Sequence, residues 1–134
     1  MLLVDLDGFK QINDTHGHAL GDECIRQSAS RLRDCCTGAD LVARVGGDEF
    51  AVLTGPALDR LEIESMAADI VAALRRPVIC AGQTLTLGAS VGIAMNTGSS
   101  TPDLFRQADT ALYAAKAAGR GTSRTFGVPV RRTG

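Results

Sequence analysis

The sequence contains no tryptophan, one tyrosine and four phenylalanines in 134 residues. With aromatics at 4%, it offers no stacking platform for single-stranded nucleic acid. Neither sign of charge dominates: fourteen Lys and Arg stand against fifteen Asp and Glu, a formal net charge of −1. That balance excludes a basic nucleic-acid coat and a polybasic membrane anchor. No apolar run approaches the roughly 18 residues that span a bilayer, and no basic stretch followed by an apolar one and a cleavage site opens the chain. The expectation is a cytoplasmic protein. Histidine is scarce, at two residues. None of the four cysteines, Cys24, Cys35, Cys36 and Cys80, belongs to a Cys-x-x-Cys pair, which argues against structural zinc. The adjacent Cys35 and Cys36 point in different directions on a helix, and all four read as reduced packing residues.

What the sequence does have is an ordinary globular balance, 45% hydrophobic and 22% charged, in a length that holds one core. Met1 to Leu6 is an apolar run without polar alternation, a strand buried on both faces. A short helix is predicted from Phe9 to about Thr15. A second runs from Asp22 to about Cys36, with Ile25, Ala29, Leu32 and Cys36 at helical spacing and Gly38 as its end. Leu41–Val45 and Phe50–Leu53 flank Gly46-Gly47, a hairpin signal. Leu58, Leu61, Met66, Ile70, Val71 and Leu74 mark a third helix, closed by Pro77. Val78–Cys80 and Gln83–Leu85 form a small hairpin around Ala81-Gly82. Thr86–Met95 is a β-rich run whose glycines admit a close neighbour. Thr101-Pro102-Asp103 starts a helix with the buried stripe Leu104, Ala108, Ala111, Leu112 and Ala115. Thr122–Phe126 is a last short strand. The fold class is an α/β (α+β) sandwich with a mixed, largely antiparallel sheet. The domain is expected over residues 1–126, with 127–134 a disordered tail.

Nine of the fifteen carboxylates lie between residues 5 and 49. Asp5 and Asp7 end the first strand, and Asp48-Glu49 follows the glycine turn. Carboxylates at buried strand ends are costly unless something positive compensates. A hard divalent cation is the usual compensator, and Mg²⁺ typically takes one or two carboxylates together with substrate phosphates. Gly8-Phe9-Lys10 opens a helix, whose free N–H groups and Lys10 suit an anion. Lys116 and Arg120 are four apart and are expected on one helix face, either complementing the dipole or clamping a terminal phosphate. Asp22 either caps its helix or, with Asn13, reads a base. An acidic side chain matches the adjacent N–H donors of guanine and mismatches adenine.

Val4-Asp5-Leu6-Asp7-Gly8 resembles the opening motif of haloacid-dehalogenase-type phosphatases, but Phe9 replaces the expected Thr and the later motifs of that family are missing. The whole set resembles the GGDEF family of diguanylate cyclases. Its signature, Gly46-Gly47-Asp48-Glu49-Phe50, is intact. Around it stand Asp5-Leu6-Asp7-Gly8-Phe9-Lys10-Gln11-Ile12-Asn13-Asp14 and Gly17-His18-Ala19-Leu20-Gly21-Asp22. Downstream come Ala89-Ser90-Val91-Gly92-Ile93-Ala94, Ala108-Asp109-Thr110-Ala111-Leu112-Tyr113-Ala114-Ala115-Lys116 and Gly119-Arg120.

The resemblance implies a sheet wrapped by helices, similar to the palm of nucleotidyl cyclases. It implies condensation of two GTP into cyclic di-GMP with release of two pyrophosphates, in a two-fold homodimer, for signalling. Asp5, the carbonyl of Leu6, Asp48 and Glu49 would hold two Mg²⁺ or Mn²⁺ ions, and Glu49 would assist deprotonation of the attacking 3′-hydroxyl. Asn13 and Asp22 would read guanine. Gly8, Phe9, Lys10, Lys116 and Arg120 would bind phosphates, with Asp7 behind them. The other reading the resemblance permits is a GTP-binding regulatory module that makes no product.

Two departures from the family pattern bear on these expectations. Where an Arg-x-x-Asp inhibitory site is usual, the chain reads Thr37-Gly38-Ala39-Asp40, so only Asp40 stands and weak product binding there is expected. The family's N-terminal helix and the segment after it are also missing before the first strand, so the chain is expected to be an N-terminally truncated domain, once fused to a sensory or regulatory one.

Overall fold

The strand β1 (Leu2–Asp7) is the axis of the molecule, and its residues Leu2 to Val4 are fully buried. In the computed structural model, which describes residues 1–98 and 100–129, the remaining elements follow in chain order. They are α1 (Phe9–His16), α2 (His18–Cys35), β2 (Ala39–Arg44), β3 (Glu49–Thr54) and α3 (Arg60–Arg75). Then come β4 (Val78–Cys80), β5 (Gln83–Leu85), β6 (Gly88–Ile93), α4 (Thr101–Ala117) and β7 (Ser123–Thr125). The main sheet has the order β2-β3-β1-β6-β7, and only β6 and β7 are parallel. That parallel pair is joined through α4, the crossover that parallel strands require. The expected mixed, largely antiparallel sheet is what forms.

Alternation along β1 sorts its side chains between two layers. Leu2, Val4 and Leu6 join the larger core with Ile25 and Leu32 of α2, Ile70 and Leu74 of α3, and Val91 and Ile93 of β6. Leu3 faces the other way, onto Ala108 and Leu112 of α4. On that face β6 carries only small residues. A methyl group at Gly92 would overlap the Ala108 carbonyl and lie 2.7 Å from Leu112 Cα, so α4 rests directly on the strand's backbone. Asp5 and Asp7 share the parity of Leu3, so they emerge on the α4 side at the strand's end.

Several sequence readings shift in detail. The second helix begins at His18, with Gly17 as its cap, so Asp22 lies a full turn inside it and caps nothing. Its C-terminus is closed at Cys36 rather than Gly38. In α3 the buried residues are Ile63, Ala67, Ile70, Val71, Ala73 and Leu74, so Ile70, Val71 and Leu74 are as expected, while Leu58 precedes the helix and Met66 is half-buried. Leu61 is 68% exposed, because two residues of helix carry it about 200° away from Ile63. Ser100 caps α4, so Pro102 follows Thr101 in its first turn; its buried stripe is as expected. The β4–β5 hairpin and β7 form where predicted, and all four cysteines are free. Of the segment expected to be a disordered tail, residues 130–134 lie outside the described residues, while the Val128 N–H donates to the Thr125 carbonyl at 3.2 Å. Among the described residues no helix is long and apolar enough to cross a membrane.

Candidate active site

The ends of β1 and β3 come together by register. Asp5 pairs with Glu49 across the antiparallel ladder, and the Leu6 N–H donates to the Asp48 carbonyl at 3.0 Å. The Gly46-Gly47 segment turns the chain between β2 and β3 in a four-residue loop, with the Val45 N–H donating to the Glu49 carbonyl at 2.9 Å. Neither glycine takes a left-handed conformation, so the tight two-residue turn that the pair suggested does not form. Arg44 holds the loop instead, donating from Nε to the Gly46 carbonyl at 3.0 Å and from Nη2 to the Gly47 carbonyl at 2.6 Å.

A cleft of about 510 Å³ opens beside this loop. Asp5, Leu6 and Asp48 line one side; Gly8, Phe9, Lys10 and Gln11 line another; Lys116 and Arg120 close it. Gly8, at φ +84°, takes the left-handed turn that redirects the chain from β1 into α1. No side chain caps α1, so its first N–H groups are presented to the cleft. Gln11 and Arg44 join the residues expected at this site. Their signal is positional only, one residue past Lys10 and one strand-end before the glycine loop.

Asp5 is 8% exposed and forms an ion pair with Lys116. Burial raises its pKa above the usual carboxylate value, with Asp48 adding to the rise and Lys116 opposing it. Its Oδ1 is buried with no hydrogen-bond partner. Glu49 lies outside the cleft lining, and burial followed by the charge of Asp5 and then of Asp109 pushes its carboxyl up. Among the described residues no three His, Cys, Asp or Glu side chains converge as a ready metal cage. The donors that do converge are Asp5, Asp48 and the Leu6 backbone. An orphaned carboxylate oxygen, a second carboxylate and a carbonyl, facing a phosphate-sized cleft, fit an Mg²⁺ ion that completes its shell with water and substrate oxygens.

Arg120 does not share a helix face with Lys116. It follows the end of α4, in a left-handed conformation at φ +65° between two glycines. Asp7 holds this strained turn. It accepts from the Gly121 N–H at 3.1 Å, from Arg120 Nη1 at 3.5 Å and from the fully buried Ser90 hydroxyl at 3.0 Å. Lys116 and Arg120 therefore reach one cleft from a helix and a loop, and Ser90, to which residue type alone gives no role, supports that loop through Asp7. Asn13 and Asp22 lie outside the cleft, at the junction of α1 and α2, where Asn13 abuts Gly21. Asp40 is exposed at the bulge of β2, at the other end of the hairpin from Asp48, and no ion pair forms to it among the described residues.

Comparison with known proteins places this geometry in context. The profile described as "Diguanylate cyclase, GGDEF domain" matches residues 1–122. Diguanylate cyclase TpbB of Pseudomonas aeruginosa is 40% identical over 92% of this chain and 29% of its own length. The crystal structure of the GGDEF domain of TpbB (YfiN) from that organism superposes with a TM-score of 0.88 at 39% identity, covering 96% of this chain and 81% of that one. The GGDEF domain of DgcB from Caulobacter crescentus, solved in complex with c-di-GMP, gives 0.86 at 30% identity, covering 95% and 77%. The chain spans 16% to 29% of the length of the curated relatives it matches. With the signature intact on the β2–β3 loop and its carboxylates at the end of β1, the chain belongs to the GGDEF domain family of diguanylate cyclases.

Proposed function

We propose that this chain is the catalytic domain of a cytoplasmic diguanylate cyclase, joining two GTP molecules into cyclic di-GMP and releasing two pyrophosphates. The observation that carries the reading is the Asp5 carboxylate, buried with one oxygen unpartnered, beside Asp48 and across a cleft from the uncapped start of α1. Asp5, Asp48, Glu49 and the Leu6 carbonyl would hold two Mg²⁺ or Mn²⁺ ions, which supply charge neutralisation at the attacking and leaving oxygens. The backbone from Gly8 to Lys10, with the side chains of Lys10, Lys116 and Arg120, binds the triphosphate. Asn13 and Asp22, both acceptors, take the N1–H and 2-amino donors of guanine.

Glu49 then accepts the proton of the 3′-hydroxyl. As it does so, the 3′-oxygen bonds to the α-phosphorus of the opposed nucleotide and pyrophosphate leaves with the electrons of the broken P–O bond. The test is incubation with GTP and Mg²⁺ followed by chromatography. Cyclic di-GMP is expected, with Glu49→Gln lowering turnover by at least about 100-fold while GTP still binds. Absence of product from the wild-type chain at high protein concentration, or a Glu49→Gln variant at wild-type rate, overturns the proposal.

A second reading is a domain that binds GTP and regulates an attached partner without making product. It is favoured by relatives named as phosphodiesterases: cyclic di-GMP phosphodiesterase PdeR of Escherichia coli is 38% identical over 94% of this chain and 19% of its own length. GTP-dependent thermal stabilisation with no product distinguishes it.

A further inference from the structure

We infer that Lys116 is an exchangeable counter-ion: it neutralises Asp5 until a divalent cation takes that carboxylate, and only then is it free to hold phosphate, so that cation and nucleotide bind in concert. The inference deepens the proposed phosphate-binding role of Lys116 and rests on it. One ammonium group is asked for in two places. It forms an ion pair with Asp5 Oδ2, while Asp5 Oδ1 is buried and has no hydrogen-bond partner. A carboxylate this deep needs a positive partner, and among the described residues Lys116 is the one cation that pairs with it. Asp48, on the same side of the cleft, adds a second negative charge that no ion pair meets among the described residues.

The other cations of the cleft are placed differently. Lys10, in the first turn of α1, forms no ion pair among the described residues. Arg120 pairs with Asp7, but Asp7 also accepts from the Ser90 hydroxyl and the Gly121 N–H, so it stays partnered when Arg120 turns away. Asp5 has no such reserve. If Lys116 left it for a phosphate, the carboxylate would remain buried without a counter-charge, and a divalent cation is the replacement its oxygens suit. Conversely, a cation on that carboxylate would stand beside the ammonium and repel it. The Lys116 side chain is 31% exposed and lines the cleft, so it has room to swing. By linkage, the cation then strengthens nucleotide binding and the nucleotide strengthens cation binding by the same factor.

The chain contains two lysines, Lys10 and Lys116, so labelling lysine Cε with ¹³C gives two resonances, assigned with Lys10→Arg. Mg²⁺ alone is expected to move the Lys116 resonance to the position it takes in Asp5→Asn, and to leave that of Lys10 near its place. A Lys116 resonance that ignores saturating Mg²⁺ overturns the inference. Paramagnetic-resonance titration with Mn²⁺ in the absence of nucleotide is the second arm. Lys116→Met is expected to bind Mn²⁺ about tenfold more tightly than wild type. The same variant is expected to bind the Mg²⁺ complex of an α,β-methylene analogue of GTP, which releases no pyrophosphate, about tenfold more weakly. Loss of a merely structural lysine would not move the two affinities in opposite directions. Lys10→Met removes the same charge from the same cleft and is expected to weaken only the analogue; an equal gain of Mn²⁺ affinity in both variants overturns the inference. If Lys116→Met fails to fold, the resonance measurement on the wild type decides. If neither the wild type nor Lys116→Met binds Mn²⁺, the proposed metal site is wrong and this inference falls with it. If both bind it equally well, the metal site survives and this inference alone falls.

Discussion

Asp5 shows how one residue can be placed against the interest of stability. It is among the few buried polar residues of the described chain, its carboxyl is held above the usual pKa first by burial, and one oxygen has no partner. The linkage sign follows. A carboxyl whose pKa is raised on folding binds its proton more tightly in the folded chain. At pH values above that raised pKa the fold therefore bears the cost of a buried charge, and the cost disappears as the pH falls through it. Asp5→Asn removes the charge and gives Asp48 a donor, while Lys116, with a side chain 31% exposed, can turn toward water. In EDTA at neutral pH the variant is expected to be more stable than wild type, by on the order of 1 kcal/mol. Its advantage shrinks on acidification, and Mg²⁺ no longer raises its melting temperature. Calorimetry with and without Mg²⁺ across pH checks all three, and a variant less stable than wild type in EDTA contradicts the argument.

At the scale of elements, α4 and β6 form the joint that delivers Lys116 to the cleft. Gly92 meets backbone atoms of Ala108 and Leu112, which cannot rotate out of the way. Gly92→Ala is thus expected to lift α4 off the sheet, costing about 1–3 kcal/mol and lowering both the melting temperature and the affinity for GTP. Thermal unfolding and GTP titration of the variant measure it, and a Gly92→Ala chain with wild-type values for both refutes the close packing. This joint was partly legible beforehand. The α4 stripe from Leu104 to Ala115 has unbroken helical spacing, and the glycines of β6 signal a close neighbour. Other features were not legible for physical reasons. Leu61 is apolar but off the stripe that Ile63 begins, and composition cannot tell which apolar residue a helix turns outward. Asp22 looked like a cap because the break at Gly17 gives no side-chain signal that His18 is already helical. Ser90 and Arg44 act through contacts with residues whose placement only the folded sheet supplies. Of the site, the carboxylates at the end of β1 and beside the glycine turn could be read as chemistry from residue type and position. Of these, Asp5 and Asp48 share the cleft, and what brings them together is the Asp5–Glu49 register.

At the scale of the whole molecule, the arithmetic of the proposed reaction governs assembly. One domain carries one such cleft, while cyclic di-GMP has two phosphodiester bonds, each made by the 3′-oxygen of one nucleotide on the phosphorus of the other. On that proposal, two copies of the domain would face each other about a two-fold axis, each contributing its own Glu49. At low concentration the rate of cyclic di-GMP formation is expected to rise as the square of wild-type protein. The more discriminating measurement mixes wild type with an excess of Glu49→Gln, so that most wild-type copies pair with a variant. Such a pair has one working base. It forms a single bond, converting two GTP into one linear pppGpG and one pyrophosphate, and stalls before closing the ring. Anion-exchange chromatography is expected to show the linear product increasing and the cyclic product falling as the variant is added. A cyclic yield that merely tracks the wild-type copies, with no linear product, contradicts the two-fold division of labour, because it means that each domain completes both bonds without the other's carboxylate.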